Sequence, residues 1–90
     1  MTQTSRTVQI NNRRGLHARA SAKFVTLAST QPVELVVEKD GSKVTGTSIM
    51  GLMMLGAAMG DCITISAEGE GAENAVAALA QLVEDRFGED

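Results

Sequence analysis

Val33-Glu34-Leu35-Val36-Val37-Glu38-Lys39-Asp40-Gly41-Ser42-Lys43-Val44-Thr45-Gly46 reads as two strands and the turn between them. Val33, Leu35 and Val37 fall on one face at the period of two that marks a half-buried strand. Asp40-Gly41 is a two-residue hairpin signal, because the tightest hairpin turns need backbone angles that Asp and Gly tolerate best. The return strand, Ser42 to about Gly46, is short and polar, which suits a sheet edge. The chain therefore holds an antiparallel sheet with one apolar face, and the remaining segments are read for what covers that face.

Upstream, Thr7 to Ile10 is a first strand, with Val8 and Ile10 on one face. Asn12 to Leu16 is a loop. A helix is expected from about Ala18 to Ser29, with Ala20, Phe24, Leu27 and Ala28 as its apolar stripe and Arg19, Lys23 and Thr26 away from it. Gln31-Pro32 ends it, since the residue before proline avoids helical angles. Downstream, Thr47-Ser48 is a natural N-cap for a short helix over Ile49 to Leu55, stopped by Gly56. Asp61 to Ala67 is a fourth strand, with Ile63, Ile65 and Ala67 inward. A last helix spans about Ala72 to Phe87, with Ala72, Ala75, Val76, Leu79, Leu82 and Val83 inward. Its first turn carries Glu73 and its last Arg86, both matched to the helix dipole, and Gly88 is the stop. The order β-α-β-β-α-β-α, with apolar faces on one side of every strand, predicts an α+β fold: an open-faced two-layer sandwich in a single domain over residues 1–90.

Ninety residues with 43% apolar content can form one core. A chain of this size buries about 60–65% of its unfolded surface. No apolar run approaches the ~18 residues that span a bilayer, the start is polar, and the single cysteine, Cys62, can form no internal disulfide. The expectation is a protein without membrane insertion in a reducing, cytoplasmic compartment. The net charge of −3 hides an asymmetry: residues 1–33 carry +5 and no acid, and residues 34–90 carry −8. The basic end contains Arg13, Arg14, Arg19 and Lys23 and the only histidine, His17. Such a local field draws anionic partners. The overall acidity argues against a duplex nucleic-acid partner, and two phenylalanines on no strand argue against base stacking on the sheet.

His17 stands where a loop becomes a helix N-terminus. Free backbone N–H groups and the positive end of the dipole make that a place for an anion. Positive neighbours disfavour imidazolium, so a neutral, nucleophilic ring nitrogen is expected. Arg19 can neutralise phosphoryl oxygens, and Arg14 and Lys23 more loosely. No acid precedes Glu34, so a general base for His17 would have to be recruited through the fold. One histidine and one cysteine, 45 positions apart, give no metal spacing, and neither metal nor cofactor is expected. Gly69-Glu70-Gly71 lacks the third glycine of a dinucleotide turn and is ringed by acids. Ser48 caps a helix, and Met50, Met53 and Met54 cannot all face the core; Met53 is expected inside with Leu52 or Ile49.

Gly15-Leu16-His17-Ala18-Arg19, continuing through Ala20-Ser21-Ala22-Lys23-Phe24-Val25, resembles the active-site motif of the HPr family. These are the histidine-containing phosphocarriers of the bacterial phosphoenolpyruvate-dependent phosphotransferase system. Ser48-Ile49-Met50-Gly51-Leu52 is similar to the family's second motif, a regulatory serine and the helix after it. The resemblance implies sheet order 1-4-2-3 with three helices on one face. It implies phosphorylation of His17 on Nδ1 by Enzyme I, phosphoryl stabilisation by Arg19, and modification of Ser48 by an HPr kinase/phosphorylase in some lineages. It implies donation to EIIA proteins by a monomer that is regenerated, a carrier more than an enzyme. Arg14, Lys23, Ile49, Met50, Leu52 and Met53 are then the expected partner-binding surface. Many members have proline where Ala20 stands. The runner-up is a regulatory interaction module, including a nitrogen-branch paralogue, that binds a kinase or transcription factor without serving sugar transport.

Overall fold

The computed structural model describes residues 3–89; residues 1, 2 and 90 of the expected single domain lie outside the described residues. The elements are β1 (Gln3–Gln9), α1 (Ala18–Ala28), β2 (Val36–Lys39), β3 (Ser42–Thr45), α2 (Ile49–Met54), β4 (Cys62–Glu68) and α3 (Ala72–Glu84), with a final 3-10 turn over Arg86–Gly88. The sheet is antiparallel in the order β1-β4-β2-β3. The architecture is the expected open-faced sandwich. Val8, Val37, Ile63, Ile65 and Ala67 form its covered face and meet Ala20, Phe24 and Ala28 of α1 and Ala75, Val76, Leu79 and Val83 of α3. Phe24 is wholly buried, and truncating such a ring costs about 3–5 kcal/mol. The other face is polar, with Thr7 and Thr64 joined hydroxyl to hydroxyl across β1 and β4 at 3.0 Å. Among the described residues no helix is long and apolar enough to cross a membrane.

Several boundaries differ from the expectation. β1 begins at Gln3, not Thr7, because ladder bonds to β4 carry a polar segment that shows no apolar alternation. β2 begins at Val36, not Val33. Leu35 is buried all the same, and its carbonyl accepts from Gly46 N at 2.7 Å. The hairpin turn is as read, with positive φ at both Asp40 (52°) and Gly41 (87°). α3 stops at Glu84, capped at Asp85, so Arg86 is not in its last turn; Arg86 and Phe87 are left-handed, at φ 58° and 56°. Leu82 is only half-buried, and Ala80, absent from the expected stripe, is in the core. Arg6 does not join the histidine end: its guanidinium faces Glu84 at 3.6 Å beside α3.

Two contacts place the loop ahead of α1. Gly15 has φ 63°, and a Cβ there would lie 2.3 Å from the Ala57 carbonyl oxygen, so only glycine fits. Leu16 N donates to that same oxygen at 2.9 Å. The loop before α1 is thereby fastened to the loop after α2.

Candidate functional site

His17 is the N-cap of α1. Its backbone is extended (φ −76°, ψ −178°), and its Nδ1 accepts a hydrogen bond from Arg19 N at 3.2 Å. An imidazole thus performs the task that serine or aspartate usually performs at a helix start. The opposite ring nitrogen, Nε2, lies 3.1 and 3.2 Å from the two carboxylate oxygens of Glu89. Since Nδ1 accepts, the proton belongs on Nε2, where it is donated to Glu89; the bonding assigns this tautomer. Side chains of His17 and Glu89 are each 20% exposed, so a partner can reach the ring while much of it is held.

Glu89 was not expected here. The acid that the sequence withholds from the neighbourhood of His17 arrives from 72 residues away. The expectation of purely positive surroundings is therefore corrected: a carboxylate faces the ring at Nε2. Asn12 donates from Nδ2 to Glu89 Oε1 and to Gly15 O, both at 2.9 Å. The Asn12 bond and then the His17 bond hold the Glu89 carboxyl below its ordinary value, with the charge of Lys23 adding to them. Asn12 is wholly buried against the candidate site, a placement not expected from the sequence. A polar residue at the head of a glycine loop was the one available signal for it; Glu89 had none.

Arg19, Arg14 and Arg13 are exposed beside the α1 N-terminus. Lys23 is not a loose cation: its Nζ donates to the Phe87 carbonyl at 2.7 Å. Ala20 is buried in the first turn of α1 and keeps a backbone N–H that proline would delete.

The second expected site is also a helix cap. Ser48 Oγ accepts from Gly51 N at 2.9 Å at the start of α2. Leu52 is wholly buried and is removed from the partner-binding surface; it is the residue that ties this short helix to the core. Met53 and Ile49 are each 41% exposed, so of the expectation that Met53 packs inward with Leu52 or Ile49, the Leu52 part stands and Met53 is corrected. With Leu52 filling the inward position, Met50, Met54 and Met59 are left still more open, at 68%, 80% and 58%. Gly51 lets α2 lie close to β3, since a Cβ there would be 3.0 Å from Val44 Cβ.

Residues 4–85 match the family model described as the PTS HPr component phosphorylation site. The chain belongs to the HPr family. It is 48% identical to the phosphocarrier protein HPr of Neisseria meningitidis over 82 residues, 91% of this chain and 92% of that one. It is 39% identical to the phosphocarrier protein NPr of Shewanella violacea over 89 residues, 99% of this chain and 98% of that one. A crystal structure of HPr from Thermoanaerobacter tengcongensis superposes with a TM-score of 0.89 at 46% identity, covering 100% of this chain and 99% of that one. The chain is thus an HPr-family phosphocarrier of the phosphotransferase system, with the HPr sheet order and helix layer. Glu89 and the turn before it lie beyond the residues that the HPr family model matches.

Proposed function

We propose that the chain takes a phosphoryl group onto Nδ1 of His17 from Enzyme I and passes it to EIIA proteins in the cytosol. The observation that supports this most is the pairing of the two ring nitrogens. Nε2 carries the proton and gives it to Glu89; Nδ1 presents its lone pair at a helix N-terminus. In the transfer, the Nδ1–P bond forms as the donor's N–P bond breaks, and the donor nitrogen leaves with its electron pair. The ring gains positive charge, the Nε2 proton stays in place, and the Glu89 carboxylate offsets that charge. No general base is needed, since no proton has to leave. The phosphoryl oxygens then take over the Arg19 N–H that Nδ1 had used, with the Arg19 guanidinium alongside. Return transfer runs the same steps backwards.

Arg14, Ile49, Met50 and Met53, with Met54 and Met59, form the surface proposed to meet partners. Arg14 suits acidic partner surfaces, and flexible methionines suit several different ones. ATP-dependent phosphorylation of Ser48 would add charge at the α2 N-terminus beside that surface.

Incubation with Enzyme I and labelled phosphoenolpyruvate should give an acid-labile label on the wild type and none on His17→Ala. Equal labelling of the two proteins would sink the proposal. A second reading, service in a nitrogen branch, draws on the similarity to NPr over nearly the whole chain. Side-by-side labelling by sugar-branch and nitrogen-branch Enzyme I proteins decides between them by rate. For Ser48, Ser48→Ala should lose an acid-stable, kinase-dependent label; label that persists removes the serine from the proposal.

A further inference from the structure

After α3 the chain turns back towards α1 through three consecutive residues of positive φ: Arg86 (58°), Phe87 (56°) and Gly88 (74°). Two of them carry side chains, for which this region is sterically unfavourable. Such a turn persists only where its surroundings hold it. Three things do so. The Phe87 ring is buried at 1% exposure. Lys23 Nζ, reaching from α1, donates to the Phe87 carbonyl at 2.7 Å. Gly88 N and Glu89 N donate to Asp85 O and Arg86 O at 3.0 and 2.9 Å. The turn delivers Glu89 to the imidazole.

Asn12 meets Glu89 from the other side. Its side chain is wholly buried, and both its bonds come from Nδ2, to Gly15 O and to Glu89 Oε1. Its Oδ1 is buried without a hydrogen-bond partner. Turning the amide over would aim Oδ1 at a carbonyl and a carboxylate, so these two acceptors fix its orientation. A buried, unpaired acceptor weakens a fold, which makes Asn12 a poor choice for stability alone. What it does here is clamp the oxygen of Glu89 that His17 also uses.

We infer that Asn12 and Lys23 are positioning residues that act on His17 through Glu89. One fixes its carboxylate and the other fixes the turn that carries it, and together they hold the imidazole in the Nε2–H form. The effect on phosphotransfer rests on His17 being the phosphoryl acceptor; the positioning itself can be read without any transfer.

The test is nitrogen-15 NMR of the His17 ring in the whole chain at neutral pH. The wild type should show the Nε2–H tautomer in large excess. Lys23→Met, which keeps the stem and removes the donor, and Asn12→Ala should each raise the Nδ1–H share about threefold, as expected for loosening one hydrogen bond. In a Glu89→Ala background neither substitution should change the ratio further. A wild-type ratio in Lys23→Met overturns the inference, as does an equal increment from either substitution when Glu89 is absent. Lys23 lies on the exposed side of α1, so its variant stays decisive even where Asn12→Ala loosens the Gly15 loop. If Enzyme I fails to label His17 while the tautomer ratios move as stated, the carrier proposal fails and the positioning stands.

Discussion

His17 and Ser48 solve the same local problem. Each caps a helix, and each does so with a side-chain acceptor that takes a bond from a first-turn N–H, at 3.2 Å for His17 and 2.9 Å for Ser48. They differ in what stands behind the cap. Ser48 Oγ has the bond to Gly51 N and no other side-chain partner among the described residues. His17 has a second ring nitrogen tied to a carboxylate, and that carboxylate is held in turn by a buried amide. At His17 tertiary contacts choose which nitrogen of the capping group carries the proton; at Ser48 the cap stands by itself.

That contrast can be broken or sharpened by substitution. The largest effect is expected at Gly15, whose positive φ and close approach to Ala57 seat the His17 loop. Gly15→Val should lower stability by about 3 kcal/mol, read from the urea midpoint, and slow labelling of His17 in whatever fraction still folds. Glu89→Ala comes next. Removing one charge-assisted bond should slow phosphorylation of His17 about tenfold with the fold kept. An unchanged rate in quench-flow labelling would reduce Glu89 to a bystander and make the two caps equivalent.

Ser48→Ala should cost about 1 kcal/mol, the ordinary loss for a cap, and leave the rate at His17 as it was. A slowed rate would show that the two helix starts communicate. The smallest effect is a pH dependence. The Glu89 carboxyl is held below its ordinary value near 4.5, first by Asn12 and then by His17. A lowered folded-state value stabilises the protein above the unfolded value and is lost as pH falls through the folded one. Wild type should therefore exceed Glu89→Gln in thermal midpoint at neutral pH, and the gap should close on the acid side of that value. A gap that persists there would point to packing and not to charge.

How far the sequence disclosed these features follows from how local each one is. The hairpin at Asp40-Gly41 and the helix starts at His17 and Ser48 depend on neighbours within a turn or two, and they stand where the residues placed them; of the α1 stripe, Ala20, Phe24 and Ala28 are buried, but Leu27 is only half-buried and Ser21 is buried in addition. β1 was shortened because Gln3, Thr4, Ser5 and Arg6 carry no apolar rhythm; their strand exists through pairing with β4. Six residues of almost uniform apolarity in α2 do not separate Met53 from Leu52; packing on β3 and α1 selects Leu52 and leaves Met53 exposed. Glu89 was illegible because its partners, His17 and Asn12, are 72 and 77 positions away. Asp85, Arg86 and Phe87 look like good helix continuation, and nothing local announces the left-handed turn that brings Glu89 across.

The uncovered face of the sheet has a practical use. Cys62 is the only cysteine in the chain. It is exposed at the start of β4, on the opposite side of the sheet from Ile63 and the helix layer. A maleimide dye or a surface tether attached to that thiol occupies the layer that neither cap uses. Docking on the helices could then be followed by anisotropy or on a sensor chip, with every molecule presenting its histidine in one orientation.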